Sequence, residues 1–304
     1  MRRGQSGEAM GSEKSNWPTT LKQTVAKFRD DNLGDWAAAL TYYGLLSLFP
    51  ALIALVSLIG LVGDPQETTE TLTDIVASIG PESAAETFSG PIESIASNRS
   101  TAGFAFVLGL AVALWSASAY VGAFMRASNV VYEVQEGRPF WKLRPLQLLV
   151  TLVMVLLTAL VALGLVLTGP IVAAVAEPLG LSDTAVDVWN FAKWPVLVAL
   201  TIAMIAILYY ASPNARVRGF RWVTPGSLVA VAIWAVASAA FALYVANFGS
   251  YDKVYGTLGG LVALLAWFWI TNLAILFGHQ LNAVHERSVV GRPQPRAGAS
   301  PISS

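Results

Sequence analysis

The chain has 304 residues and no net formal charge, because 19 lysine and arginine residues balance 19 aspartate and glutamate residues. Hydrophobic residues make up 55% of the chain and charged residues only 12%, whereas soluble domains carry roughly 25% charged residues. There is no cysteine, which excludes disulfides, thiolate nucleophiles and cysteine-based metal or iron–sulfur sites. The mean hydropathy of +0.58 indicates a membrane protein.

Charged residues are excluded from six long stretches of the sequence. Each stretch is long enough to supply the roughly 20 helical residues that cross a bilayer, and none is a short alternating segment typical of a transmembrane β-strand. The sequence therefore predicts an all-α, polytopic transmembrane bundle of six helices. The stretches without Asp, Glu, Lys or Arg are 36–63, 100–125, 145–176, 194–215, 222–251 and 254–285.

The region before the first apolar stretch divides into two parts. Residues 1–16 are polar and rich in Gly and Ser, which predicts a disordered cytoplasmic N-terminus. Within 17–35, Leu21, Val25 and Phe28 recur at helical spacing among basic residues. This pattern predicts a short amphipathic helix on the cytoplasmic face of the membrane.

The six-helix transmembrane domain is predicted over residues 17–286. Pro50 should kink or break the first span, because proline lacks the amide N–H and clashes with the preceding turn; a packing kink and a substrate site are both open. The first outer loop, 63–99, has apolar residues at helical spacing, which predicts short amphipathic helices. The tail, 287–304, is rich in Pro, Gly and Ser and is predicted to be disordered and cytoplasmic. The predicted spans are about 36–62, 103–125, 146–168, 194–211, 222–247 and 255–279.

Basic residues are sorted between alternate connections. Sixteen of the 19 lysines and arginines fall on the side that holds both termini, and Arg99, Lys193 and Lys253 fall on the other. Cytoplasmic loops of membrane proteins carry an excess of Lys and Arg. The sequence therefore predicts that both termini are cytoplasmic, with a basic inner rim and an acidic outer face.

The sequence lacks the residue patterns of common enzymes. It has no GxxxxGK[ST] phosphate-binding loop and no HExxH metal motif. His279 and His285 are six residues apart, about 240° around a helix, so they cannot share a metal ion and are interpreted as interfacial polar residues ending the last span. No carboxylate lies in the middle of a span, which disfavours a proton relay. We predict no enzymatic activity, no metal and no cofactor.

Two sets of residues are candidates for function. Uncharged polar side chains and helix breaks within or next to the spans are candidates for a substrate path, and basic residues at the cytoplasmic ends of the spans are candidates for attracting an anionic headgroup. The path candidates are Tyr43, Ser47, Pro50, Asn129, Tyr244, Tyr251, Tyr255 and Gly256. The basic rim consists of Arg126, Arg138, Lys142, Arg144, Arg216, Arg218 and Arg221.

Several short blocks, in order over about 36–283, carry a family resemblance. The run from Ala37 to Pro50 (AAALTYYGLLSLFP) resembles the opening of the YihY/BrkB virulence-factor family of inner-membrane proteins. The resemblance implies six helices with both termini inside, and a link to virulence, envelope integrity and export of lipids or solutes. It also implies that the old family label ribonuclease BN is a misassignment. The sequence departs from the family at His279-Gln280, where a small residue and Glu are expected. The other matching blocks are Asn129, Arg138-Pro-Phe-Trp-Lys, Tyr210-Ala-Ser-Pro-Asn, Thr224-Pro-Gly, Tyr251-Asp-Lys-Val-Tyr-Gly and Gly278-His-Gln-Leu-Asn-Ala.

Two functions follow from these features. The first is transport or translocation of an amphipathic, lipid-like or envelope-related molecule, with a basic rim for its headgroup and uncharged polar residues along its path. The alternative is a membrane scaffold or envelope assembly factor that transports nothing. The predicted partners are membrane lipids, a second copy of the chain or envelope proteins. Nucleic acid is not a predicted partner, because the bases are spread over four short flanks rather than gathered into a patch.

Overall fold

The described part of the chain is almost entirely helical. The computed structural model describes residues 17–62, 99–166, 183–216, 222–247, 257–290 and 294–295. These form seven α-helices and two short strands: α1 (Trp17–Asp30), α2 (Leu33–Val62), α3 (Arg99–Val131), α4 (Phe140–Val166), α5 (Asp183–Ala211), β1 (Ala215–Arg216), α6 (Pro225–Asn247), α7 (Thr257–Val290) and β2 (Gln294–Pro295). The helical membrane bundle that the sequence predicts is confirmed at this level.

Five segments of the described helices are long and apolar enough to cross a membrane: Val107–Val131, Phe140–Leu165, Val188–Ala211, Pro225–Val245 and Gly260–Val289. They correspond to the last five predicted spans. The first predicted span corresponds to α2, whose more apolar half, 51–62, has side chains outside the described set. A six-span count and its orientation therefore stay predictions. Residues 63–98 of the outer loop, with its expected helices, and the N-terminal 1–16 also lie outside the described residues.

The amphipathic N-terminal segment forms a helix, as predicted, but only part of its predicted apolar face packs on the rest of the protein. Thr20 and Thr24 are the buried residues of α1, and the Phe28 ring packs on Phe277 of α7 at 5.8 Å between ring centroids. Leu21 and Val25 are exposed. A left-handed residue, Asn32 with φ 50°, turns the chain into α2.

The helices pack side by side in a defined order. α2 packs mainly on α3 and also on α7, while α6 packs on α7. α4 packs on α3 and α5, and α5 has little contact with α6. Eight residues join α3 to α4, so these two helices run antiparallel. The two strands pair antiparallel, with Ala215 opposite Pro295 and Arg216 opposite Gln294.

Buried side chains are concentrated at one end of the bundle. We call this the packed end, residues 17–44, 118–151, 205–216, 222–230 and 272–290, and the rest of the described helices the apolar end, residues 45–62, 103–117, 152–166, 183–204, 231–247 and 257–271. Phe124, Leu40 and Leu276 are fully buried at the packed end. Among the described side chains of the apolar end, only Gly109, Lys193 and Leu197 are buried.

Two sequence expectations need correction. The tail was expected to be disordered from 287, but α7 continues to Val290, because Arg287 donates to the Val131 carbonyl and pairs with Glu133 at 3.2 Å. Residues 294–295 also form β2. Of the kink or break expected at Pro50, the break is not found, since α2 is continuous from Leu33 to Val62; a kink stays a prediction.

Candidate functional site

His279 is the centre of a buried aromatic cluster at the packed end. Its ring lies 4.6 Å from Tyr209, 5.4 Å from Tyr132 and 5.5 Å from Phe124, measured between ring centroids. Its Nε2 lies 2.6 Å from the Ser128 hydroxyl oxygen. The interpretation of His279 as an interfacial residue is therefore wrong: α7 runs eleven residues beyond it, and the ring is fully buried between α3, α5 and α7.

Asn129 ties together the connections that follow α3 and α5. Its Oδ1 accepts a hydrogen bond from the backbone amide of Asn214 at 2.8 Å, and its Nδ2 donates to Glu136 at 3.0 Å. Arg138 pairs with Glu136 at 2.7 Å and donates to the Ser212 carbonyl at 3.0 Å. Burial opposes ionisation of Glu136. Its pKa is nevertheless held below the usual value, because Arg138 contributes hydrogen bonds and positive charge and the Asn129 amide donates a hydrogen bond.

A charged junction joins α1, α3 and α7. Glu133 accepts from Lys27 at 2.7 Å and pairs with Arg287 at 3.2 Å. Glu133 has φ 57°, a left-handed conformation that turns the chain away just after α3. Asp31 is next to this junction: partial burial raises its pKa, and the nearby charges of Lys27 and Arg287 offset the rise only in part.

The start of α6 is held by α7. Asn282 accepts from the Gly226 amide at 2.7 Å and donates to the Thr224 hydroxyl at 2.9 Å. Thr224 and Ser227 exchange hydrogen bonds in the manner of a capping box. A Cβ on Gly278 would lie 2.2 Å from the Gly226 carbonyl oxygen, so the two backbones can cross only where both residues are glycine.

A second polar link crosses three helices nearer the bundle centre. Tyr120 on α3 donates to Asn272 on α7 at 2.7 Å, and Asn272 donates to Thr41 on α2 at 3.2 Å. Asn272 and Thr41 are buried. Each of the three side chains thus has a hydrogen-bond partner in apolar surroundings, where an amide without one is costly.

The substrate-path candidates are not gathered into one cluster by the described contacts. Tyr43 is half-buried and lies against Arg126, whose Cζ is 6.0 Å from the ring centroid. Ser47 donates to the Gly44 carbonyl of its own helix at 2.7 Å, and Tyr244 is exposed at the apolar end. Asn129 is in the buried network described above. The side chain of Pro50 and all of Tyr251, Tyr255 and Gly256 lie outside the described residues.

The basic-rim candidates differ in how they are held. Arg126 and Lys142 are exposed, and Arg138 is paired with Glu136. Arg144 stacks on Trp115 and bonds to Gln147 and Ser118. For Arg216 only the backbone in β1 is described, and Arg218 and Arg221 lie outside the described residues.

The chemistry of this end is that of fixed hydrogen bonds and positive charge. Within the described ranges, no three His, Asp or Glu side chains gather as metal ligands. The sequence reasoning missed the roles of Glu133, Glu136 and Asn282. For Asn282 a signal existed in the block Gly278-His-Gln-Leu-Asn-Ala, whose glycine and asparagine both contact the start of α6.

Comparison with known proteins gives a consistent result over nearly the whole chain. A family model described as virulence factor BrkB matches residues 24–302. The ribonuclease-like protein YfkH of Bacillus subtilis (strain 168) is 33% identical over 277 residues, which cover 90% of this chain and 98% of YfkH. The UPF0761 membrane protein IL2447 of Idiomarina loihiensis is 27% identical over 285 residues, which cover 91% of this chain and 94% of that relative. No solved structure matches the chain.

Proposed function

Because the chain belongs to the BrkB virulence-factor family and is a membrane protein, we propose that it translocates an amphipathic, lipid-like or envelope-related molecule. In this proposal it lies in the inner membrane with six spans. Both termini are cytoplasmic, because 16 of its 19 basic residues are on that side. The packed end then faces the cytoplasm.

One-sided packing of the bundle is the observation that carries this proposal. At the packed end, helices are joined by buried hydrogen bonds and by a close contact between two glycine backbones. At the apolar end, buried side chains are few, and over their whole lengths α5 has little contact with α6. A bundle closed at one end and loosely packed at the other suits a protein whose helices separate to admit a molecule from the membrane.

The two ends also differ in the chemistry that they offer. Exposed apolar side chains such as Leu163 and Leu243 line the helices of the apolar end and would contact acyl chains. Arg126 and Lys142 are exposed at the packed end and would attract an anionic headgroup. An amphipathic molecule requires both surfaces.

A scaffold role is the second candidate, and the packed end favours it. Glu133 joins the first helix, the end of α3 and the end of α7 through its ion pairs. The joined helix ends would present a fixed surface to a second copy or to an envelope protein. We propose no enzymatic activity in either case, so the purified protein should not hydrolyse RNA, despite the ribonuclease-like name of the relative YfkH.

Reconstitution in liposomes tests the proposal. We expect the purified protein to speed the movement of a fluorescent lipid between leaflets, measured by chemical quenching of the outer leaflet. Liposomes of the same composition without protein are the control. Equal rates with and without protein, for phospholipid and envelope lipids alike, would refute translocation and leave the scaffold role.

The proposed orientation has its own test, because the chain has no native cysteine. A single cysteine at Lys142 should react with a membrane-impermeant maleimide in inverted vesicles and not in intact spheroplasts. The opposite pattern would contradict cytoplasmic termini.

A further inference from the structure

The charge of Arg144 lies deeper in the bundle than its place in the sequence indicates. Arg144 is near the start of α4, yet its guanidinium carbon lies 4.5 Å from the centre of the Trp115 ring on α3. Trp115 precedes the last residue of α3, Val131, by about 24 Å at 1.5 Å per helical residue. The charge therefore lies within the apolar length of α3, Val107–Val131.

Buried neighbours hold the guanidinium from one side. Its Nη1 donates to Gln147 at 3.1 Å and to Ser118 at 3.4 Å, and both partners are buried. The Gln147 amide in turn fills the notch left by Gly122, since a Cβ there would lie 2.9 Å from its Nε2. The guanidinium is thus fixed in place before any ligand arrives.

The charge on Arg144 has no described acidic partner. Arg138 and Arg287 each pair with a glutamate, whereas no carboxylate among the described residues lies within 4.0 Å of Arg144. Its hydrogen bonds to described groups all use Nη1, which leaves Nε and Nη2 available as a two-pronged donor. Such a fork matches the oxygen atoms of a phosphate.

The surroundings indicate where an anion would come from. Trp115 is 57% exposed and Trp141 is 73% exposed, and both are in the segments that are apolar enough to cross a membrane. Exposed Leu149 extends the same apolar surroundings along α4. An anion that reaches this arginine from the membrane must carry apolar chains.

We propose that Arg144, with Trp115, Ser118 and Gln147, binds the phosphate of an anionic membrane lipid at the α3–α4 face. The binding site gives the proposed function a class of ligand. It rests on the proposed function only in that the protein lies in a membrane. A protein that binds anionic lipid here but moves none would refute translocation and leave the binding site intact. A protein that moves lipid equally well without Arg144 would support translocation and refute the binding site.

Native mass spectrometry of the full-length protein in detergent tests the site, with phosphatidylglycerol and phosphatidylcholine as probes. We expect the wild type to prefer phosphatidylglycerol, and R144Q to lose about tenfold in affinity for it, equivalent to about 1.4 kcal/mol. K22Q removes an equal charge that is exposed on α1 rather than on α3 or α4 and should change affinity about twofold or less, as exposed charges do. R144K, which keeps the charge without the fork, should retain the fold and lose several-fold.

Three results would overturn the inference. They are a wild type without preference for phosphatidylglycerol, equal losses in R144Q and K22Q, and an R144K variant that folds and binds like the wild type. A further arm separates lipid from free phosphate. Excess inorganic phosphate should not displace the lipid, and displacement at comparable affinity would show a site for free phosphate instead.

Discussion

Two glycines on α7 show how the ends of this bundle differ. Gly278, at the packed end, has no room for a Cβ, which would lie 2.2 Å from the Gly226 carbonyl oxygen. Gly260, at the apolar end, has nothing within 4 Å of the same position. Both residues lie in the segment Gly260–Val289, which is apolar enough to cross a membrane, so mean hydropathy alone does not reveal where a membrane helix packs on protein and where it faces lipid.

The same contrast holds for hydrogen bonds. At the packed end, Asn129, Asn272 and Asn282 each join two or more helices or connections. Within the apolar end, the described link between helices is the bond from Trp267 to Ser238 at 3.2 Å; Trp269 donates instead to the Gly34 carbonyl at the packed end, at 3.3 Å. Without a hydrophobic force between helices in lipid, small residues and polar links determine which surfaces associate. The packed end has both.

The largest expected effect comes from adding a methyl group where Gly278 contacts Gly226. G278A should destabilise the protein by about 3 kcal/mol, because the new methyl group meets a backbone carbonyl that cannot rotate away. G260A makes the same change at the apolar end and should be neutral or slightly stabilising, since alanine favours the helix. Thermal unfolding followed by circular dichroism in detergent measures both. Equal effects would show that the two ends are packed alike.

A smaller effect is expected from the asparagine links. N129A should cost about 2 kcal/mol, because it leaves the buried Asn214 amide and the Glu136 carboxylate without their partner. S238A, which removes the link of the apolar end, should cost about 0.6 kcal/mol, a typical value for an interhelical bond in a membrane. A cost for S238A as large as that for N129A would contradict the contrast between the ends.

The smallest effect concerns the charged junction and depends on pH. Burial raises the pKa of Asp31 above the usual value of an aspartate, so the ionised carboxylate costs stability once the pH rises through the folded value. D31N should therefore unfold at a slightly higher temperature than the wild type at pH 7, and the gain should vanish as the pH falls below about 3.9, the unfolded value.

D35N is the matched control for that effect. Asp35 is exposed in the first turn of α2, where a negative charge favours the helix by a few tenths to about 1 kcal/mol. Its removal should lower the unfolding temperature at pH 7. A gain in D35N, or a D31N gain that persists at pH 3, would contradict a burial cost specific to Asp31.

Much of the fold was predictable from the sequence, because lipid excludes charge so strongly that its absence marks a span. The helices found at 33–62, 99–131 and 183–211 each contain a predicted span. Their ends were less predictable. α7 continues to Val290 because Arg287 finds Glu133 and the Val131 carbonyl across the bundle, and no local pattern reveals partners more than 150 residues apart.

The candidate site was predicted less well than the fold. Counting charges placed Arg144 outside the spans, yet its long side chain reaches Trp115 within one. His279 was interpreted as interfacial because it is polar and near a predicted span end, but three aromatic rings surround it. In both cases the deciding factor is where a side chain extends in three dimensions, which spacing along one helix does not report.

Distances between spin labels test the one-sided packing most directly. Because the chain has no native cysteine, labels can be attached at exposed positions on α4 and α6: Leu149 with Leu228 at the packed end, and Leu163 with Leu243 at the apolar end. In lipid nanodiscs, the account predicts a narrow distance distribution for the first pair and a clearly broader one for the second. Two equally narrow distributions would contradict it.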